Sequence, residues 1–163
     1  MPIDGLTGPA ELPINSSPMN SILSTLPRVG SLLAINLLFL MVWGFTGIGK
    51  IQSGVPSWFP DKFGGTFLAR FPGLTATFWL LTASELLAFG LALLALIRGE
   101  FLRRGPPAWL ALMLTWSLFV FIQLGLGQWL TADYNATFQL FTYFAGTLVA
   151  LHYVLRRTDE GPP

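Results

Sequence analysis

Four runs of about twenty apolar residues constrain this chain more than anything else in it. They read from about Val29 to Lys50, Leu74 to Ile97, Pro107 to Trp129 and Asn135 to Arg156. At about 1.5 Å per residue, each is long enough to cross a hydrocarbon core about 30 Å thick. Backbone polar groups in lipid have to be satisfied within their own segment, so the runs are expected to be helices. Composition agrees: 10% of the residues are charged, against roughly 25% in soluble domains. The expected fold is an all-α integral membrane protein, a four-transmembrane-helix bundle with an aromatic interfacial loop between helices 1 and 2.

The bundle is expected over residues 29–156, after an irregular proline-containing arm (1–28) and before a short tail (157–163). Pro2, Pro9, Pro13 and Pro18 break the arm, which lacks the basic region and apolar core of a signal peptide. Pro27 and Pro107 suit first-turn positions, where no N–H is needed. With four spans, Arg28, Arg98, Arg103, Arg104, Arg156 and Arg157 share one side, and Lys50, Lys62 and Arg70 the other. The excess of arginine places both termini in the cytoplasm and the first loop outside.

Several functions are excluded or unsupported. The chain has no cysteine, which rules out disulfides, dithiol redox chemistry, iron–sulfur clusters and thiolate metal sites. A net charge of +1 with no basic block gives no sign of nucleic-acid binding. No HExxH, phosphate loop or nucleophile elbow is present, and no metal site or covalently held cofactor is expected. The one histidine, His152, reads as an interfacial residue and cannot supply bis-histidine haem ligation alone.

Polar residues inside the spans carry the functional signal. Glu85 lies midway along the second span, where a carboxylate costs at least about 2.5 kcal/mol. Ala88, Ala92 and Ala95 share its helical face, and small residues mark close helix contact, so Glu85 is expected to point into the bundle. It reads either as a proton carrier or ligand acceptor, or as a hydrogen-bonded packing residue. Asn36, Trp43 and Lys50, seven apart, form a stripe on the first span. The spans as drawn put Asn36 and Glu85 at similar depth. They put Lys50 at the outer interface, where a direct pair with Glu85 requires the helix to end deeper or a water to intervene. Gln123 continues the Trp109–Trp116 stripe of the third span, and Tyr143 lies beside Gln139 on the fourth. Together Asn36, Trp43, Lys50, Glu85, Gln123 and Tyr143 are the candidate cavity lining. A quinone, a carotenoid end-group or a lipid head would suit it, and so would mutual packing of the helices.

After Lys50, the residues Trp58, Phe59, Phe63 and Phe67 are interleaved with Lys62 and Arg70. They read as a partly helical interfacial collar, the candidate interface with lipid or a neighbouring subunit, broken by Pro60 and Gly64-Gly65.

The stretch "GIGK" closing the first span, the loop "WFPDKF" and the second span "LTASELLAFGLALLAL" resemble the DoxX-like family of small four-span bacterial membrane proteins. The resemblance covers roughly residues 30–153, with its specific residues between Gly44 and Gly90. It implies a multi-pass protein of the bacterial cytoplasmic membrane that supports a quinone-linked electron-transfer complex, without catalytic chemistry of its own. Lys50 and Glu85 are then the family's polar positions, and other integral membrane subunits and lipids are the expected partners. The alternatives are a structural accessory subunit of a respiratory or photosynthetic complex, or a quinone- or lipid-binding oxidoreductase component. A small transporter is the least supported, because no broken helix pair or inverted repeat is visible.

Overall fold

The computed structural model describes residues 18–103 and 105–159. Its elements are α1 (Pro18–Ser53), α2 (Trp58–Phe63), a 3-10 turn (Phe67–Ala69), α3 (Leu74–Ile97), a second 3-10 turn (Glu100–Leu102), α4 (Ala108–Leu130) and α5 (Tyr134–Asp159). Four of these, over Leu26–Ser53, Leu74–Ile97, Ala108–Leu130 and Tyr134–Arg156, are long and apolar enough to span a membrane. The expected multi-pass four-helix architecture is therefore the observed one. The start of α1 is a correction. The arm expected to be irregular is helical from Pro18, and Pro27 lies inside the helix rather than in its first turn. A proline inside a helix leaves the carbonyl four residues earlier, here that of Leu23, without its N–H partner and crowds it with the ring. Residues 1–17 of the arm and 160–163 of the tail lie outside the described residues.

The helices neighbour one another in the order α1, α3, α4, α5. Glycine decides how closely the first two approach. A Cβ added at Gly44 would lie 2.9 Å from the Phe89 ring, and one at Gly47 2.9 Å from a Leu86 methyl. These contacts set antiparallel α1 against α3, with Gly47 level with Leu86. Ala88, Ala92 and Ala95 are fully buried on α3, so small residues on both helices form the seam, as membrane helices favour. Trp43 then reaches across to α4, where its ring packs 5.1 Å from that of Phe121. Its indole N–H donates to Ser117 Oγ at 2.8 Å. Trp116 ties α4 to α3 by donating to the Ser84 carbonyl at 2.9 Å.

Helix α5 lies against α4 and buries the smallest share of its surface of the four spans. Each span has its own stop or start. Gly54 and Gly99 take positive φ values of 65° and 61° just after α1 and α3, a conformation that costs glycine least. The Glu100 carboxylate accepts the backbone N–H groups of Trp109 at 3.0 Å and Leu110 at 2.9 Å. It thus satisfies donors that the first turn of α4 leaves without helical partners.

Candidate functional site

At the end of the bundle that carries residues 54–73, the helices line a cleft of about 800 Å³. Thr46, Gly49 and Lys50 of α1 line one wall, and Phe78, Leu81 and Ser84 of α3 the next. Gln123, Leu124 and Gly127 of α4 form the third, and Phe59 and Phe63 of α2 the roof. Exposed Thr46, Gln123 and Leu126 lie along its open side. The lining is mostly apolar, with polarity confined to a few side chains, as in small-molecule sites generally.

The roof has a sequence-level cause. Pro60, expected from sequence to break the segment, does not break α2; it sits in the first turn, where a helix requires no N–H. The helix ends where the Gly64 N–H donates to the Pro60 carbonyl at 2.8 Å. Phe59, Phe63 and Phe78 then pack into a second apolar cluster, with the Phe59 and Phe78 rings edge to face at 5.4 Å. Phe59 and Phe63 are each 6% exposed, so they are interior residues rather than part of an interfacial collar. Trp58 and Phe67, by contrast, are exposed. The collar reading failed for the first two because a six-residue helix can turn one aromatic pair onto α3 while leaving its neighbours outside.

Lys62 anchors the roof on the far side. Its ammonium donates to Gln128 Oε1 at 2.7 Å and to Asp133 Oδ2 at 3.0 Å. Asp133 also accepts the Ala136 N–H through Oδ1 at 3.2 Å, capping α5. The hydrogen bond from Lys62, with help from the Ala136 N–H, holds the Asp133 carboxyl below the usual carboxylate range. The chain reverses tightly just before it, with Ala132 at φ 55° and the Asp133 N–H donating to the Gln128 carbonyl at 3.0 Å.

Lys50 donates directly to Glu85 Oε1. This corrects the expectation that the two lie too far apart in depth. Side chains on a helix tilt toward its N-terminus. On antiparallel α1 and α3 that tilt carries Lys50 deeper and Glu85 shallower, so the two converge. The glycine seam holds the backbones close enough for the lysine stem to span the remainder. Glu85 is 1% exposed and the Lys50 side chain 24% exposed, so the lysine faces the cleft and the carboxylate sits behind it. Glu85 Oε2 is buried without a hydrogen bond. The Thr46 hydroxyl lies beside the carboxylate but donates to the Val42 carbonyl at 2.8 Å.

The remaining candidates separate. Gln123 lines the cleft. Asn36 does not, nor is it level with Glu85. It is 2% exposed, and with its amide turned to satisfy both groups it donates to the Ala92 carbonyl at 3.0 Å and accepts from the Leu96 N–H at 3.1 Å. That is roughly 10–16 Å further along α3 than Glu85, because the register that sets Gly47 level with Leu86 puts Asn36 near the C-terminal end of α3. Trp43 is buried in the core on Ser117. Tyr143 is 56% exposed and touches the bundle through the Phe121 ring, 6.0 Å away. It misses the cleft because α5 packs beside α4 rather than closing against α1.

Sequence reasoning missed Thr46, Ser84, Phe78, Gly127, Gln128 and Asp133. Thr46 had a signal, since it lies one helical turn before Lys50 on the same face. The α4 and loop residues had none, because their roles depend on where α2 folds back.

No family model matches the chain, and comparison with curated proteins and with solved structures finds no match.

Proposed function

We propose that this protein is a membrane subunit that holds a flat, neutral, carbonyl-bearing apolar molecule, a quinone in the first instance, in the cleft above Lys50 and Glu85. The observation that carries this reading is a charge-balanced lysine in the wall of a mostly apolar cleft. An ammonium has three N–H donors, and Glu85 Oε1 takes one of them. A carbonyl oxygen can accept another without adding charge. A carboxylate or phosphate would bring a second negative charge beside Glu85, so the pair favours a neutral acceptor over an anion. Gln123 offers an amide from the other wall, and Phe59 and Phe78 offer ring edges and faces to a planar head. About 800 Å³ falls within the range of small-molecule sites, about 300–1,000 Å³. A carotenoid end-group or a lipid carbonyl shares the chemistry and competes for the same place.

Within the resemblance to the DoxX-like family, the wider role is support of a quinone-linked electron-transfer complex in the bacterial cytoplasmic membrane, with both termini in the cytoplasm. Electron transfer itself then belongs to a partner subunit. The test is binding of a tail-less benzoquinone to the purified protein, read by quenching of tryptophan fluorescence. Binding is expected to fall at least tenfold in Glu85→Gln and Lys50→Ala, about 1.4 kcal/mol or more, and in Leu81→Trp, which fills the cleft. Equal binding in all three variants would overturn the site.

A second reading, an accessory subunit of a larger membrane complex, is favoured by one observation. Gln139 and Tyr143 are exposed on the membrane-spanning part of α5, where amide and phenol groups gain from a neighbouring helix. Purification in mild detergent should then recover the chain with stoichiometric membrane partners. A solitary, stable monomer would exclude that reading.

A further inference from the structure

A second groove shares one lining residue, Gly49, with the cleft. It has a volume of about 560 Å³ and lies on the outer side of α1, between Gly44, Phe45 and Ile48 of that helix and Phe89 of α3. Gly49 lines both spaces. A Cβ built on Gly49 would meet no other atom within 4 Å. The helix therefore has a notch there, with the polar wall of the cleft on one side and an apolar channel on the other. Leu40, Met41, Phe45, Ile48 and Phe89 make the channel a bed for hydrocarbon, and Gln52 is its only polar side chain.

We propose that the occupant of this groove is the long apolar tail of the same ligand whose head sits above Lys50, so that the site takes a long-chain amphiphile of the isoprenoid-quinone kind. The inference rests on the cleft reading given above and extends it from head group to whole ligand. Three features assign the groove to the tail rather than to a separate molecule. The groove and the cleft share Gly49 as a lining residue, and a Cβ there would meet nothing within 4 Å. Its polarity falls away from the Lys50 side. Its path over the lipid-facing side of α1 lets a chain leave the cleft without entering water. A head held on Lys50 anchors the tail, and the tail buried on α1 adds affinity through the apolar surface it covers.

The test compares two benzoquinone probes, one with a long isoprenoid tail and one without, competing for wild-type protein and variants in nanodiscs of fixed lipid composition. In wild type, the long-tailed probe is expected to bind about tenfold tighter per mole fraction. Gly49→Leu closes the notch. Ile48→Trp and Met41→Trp fill the groove at positions that do not line the cleft. Each is expected to abolish the tail-dependent gain, and the two groove variants are expected to leave tail-less binding unchanged. A tail-dependent gain that survives in all three variants overturns the inference while leaving the cleft reading intact. So does loss of bound phospholipid from the variants with that gain preserved, because the groove then belongs to the bilayer. Failure of the wild type to bind either probe overturns the cleft reading and this inference with it.

Discussion

Lys50 of α1 donates to Glu85 Oε1 of α3, and the second carboxylate oxygen is buried without a hydrogen bond. The pair joins two spans at the wall of the cleft and exposes its two members unequally. Loss of the lysine strands a carboxylate that is 1% exposed, whereas loss of the carboxylate leaves an ammonium that reaches the cleft. Lys50→Ala is therefore expected to be the more damaging change, at about 3–5 kcal/mol, the range for breaking a buried pair from one side. Glu85→Ala should cost less. The double variant should fall short of the sum by about 1–3 kcal/mol. Unfolding in mixed detergent micelles measures all three, and strictly additive values would show that the two side chains do not interact.

The Trp43–Ser117 bond (2.8 Å) is an interhelical tie in the buried core, and it separates hydrogen bonding from packing. Ser117→Ala is expected to cost about 0.6 kcal/mol, the mean for such bonds within membranes. Trp43→Ala removes the ring that fills the space against Phe121 and should cost about 3–5 kcal/mol. Trp43→Phe should fall between them. Equal losses in the serine and tryptophan variants would mean the bond, not the ring, holds α1 to α4.

Gly47 is expected to tolerate a small side chain and reject a branched one. A Cβ there meets the tip of Leu86 at 2.9 Å and the Leu86 backbone nitrogen only at 3.5 Å. Gly47→Ala requires only the Leu86 side chain to shift, while Gly47→Val pushes on backbone and should cost about 1–3 kcal/mol. Because the same seam sets the Lys50–Glu85 approach, Gly47→Val should also weaken benzoquinone binding. Stability lost with binding retained would show that the pair forms independently of the seam.

Glu100 accepts two backbone N–H groups from the start of α4. Glu100→Ala leaves both without their partner, and the Leu110 N–H is in a buried setting, so a loss of about 1–3 kcal/mol is expected. Glu100→Gln keeps an acceptor oxygen and should lose less. The readout is the melting temperature in detergent, and identical losses for the two variants would argue against the capping role.

Asp133 sets a pH dependence outside the membrane spans. Its folded carboxyl titrates below the ordinary range because Lys62 donates to it. A lowered folded value means the tether is in place above the ordinary carboxylate range and is lost as pH falls through the folded value. Acidification should therefore free the roof helix α2 from the turn before α5. The chain lacks cysteine, so spin labels placed at Asp61→Cys and Ala132→Cys are unique. Their separation should broaden at low pH, and it should be broad at every pH when Asp133→Asn is added. A distribution that ignores both pH and Asp133→Asn would show that α2 is held without Asp133, by its phenylalanines and the Lys62–Gln128 bond.

The sequence by itself determined the spans and the inward face of α3. Hydrophobic length is local, and lipid leaves the backbone no other way to satisfy its polar groups. It also singled out Lys50, Glu85 and Gln123, since an ionisable or amide group in a greasy run stands out wherever the helix is placed. Only the tertiary structure decided which polar residues meet. Asn36 and Trp43 share a stripe with Lys50, yet each finds its partner on a different turn or a different helix. The opposed tilts of antiparallel side chains and the Gly44–Gly47 seam fix that register, and neither can be read from one helix alone. The roof was hidden for the same reason. Whether Phe59 and Phe63 face lipid or line a cleft depends on a short helix folding back onto α3 and being held there by Lys62, through partners sixty-six and seventy-one residues away.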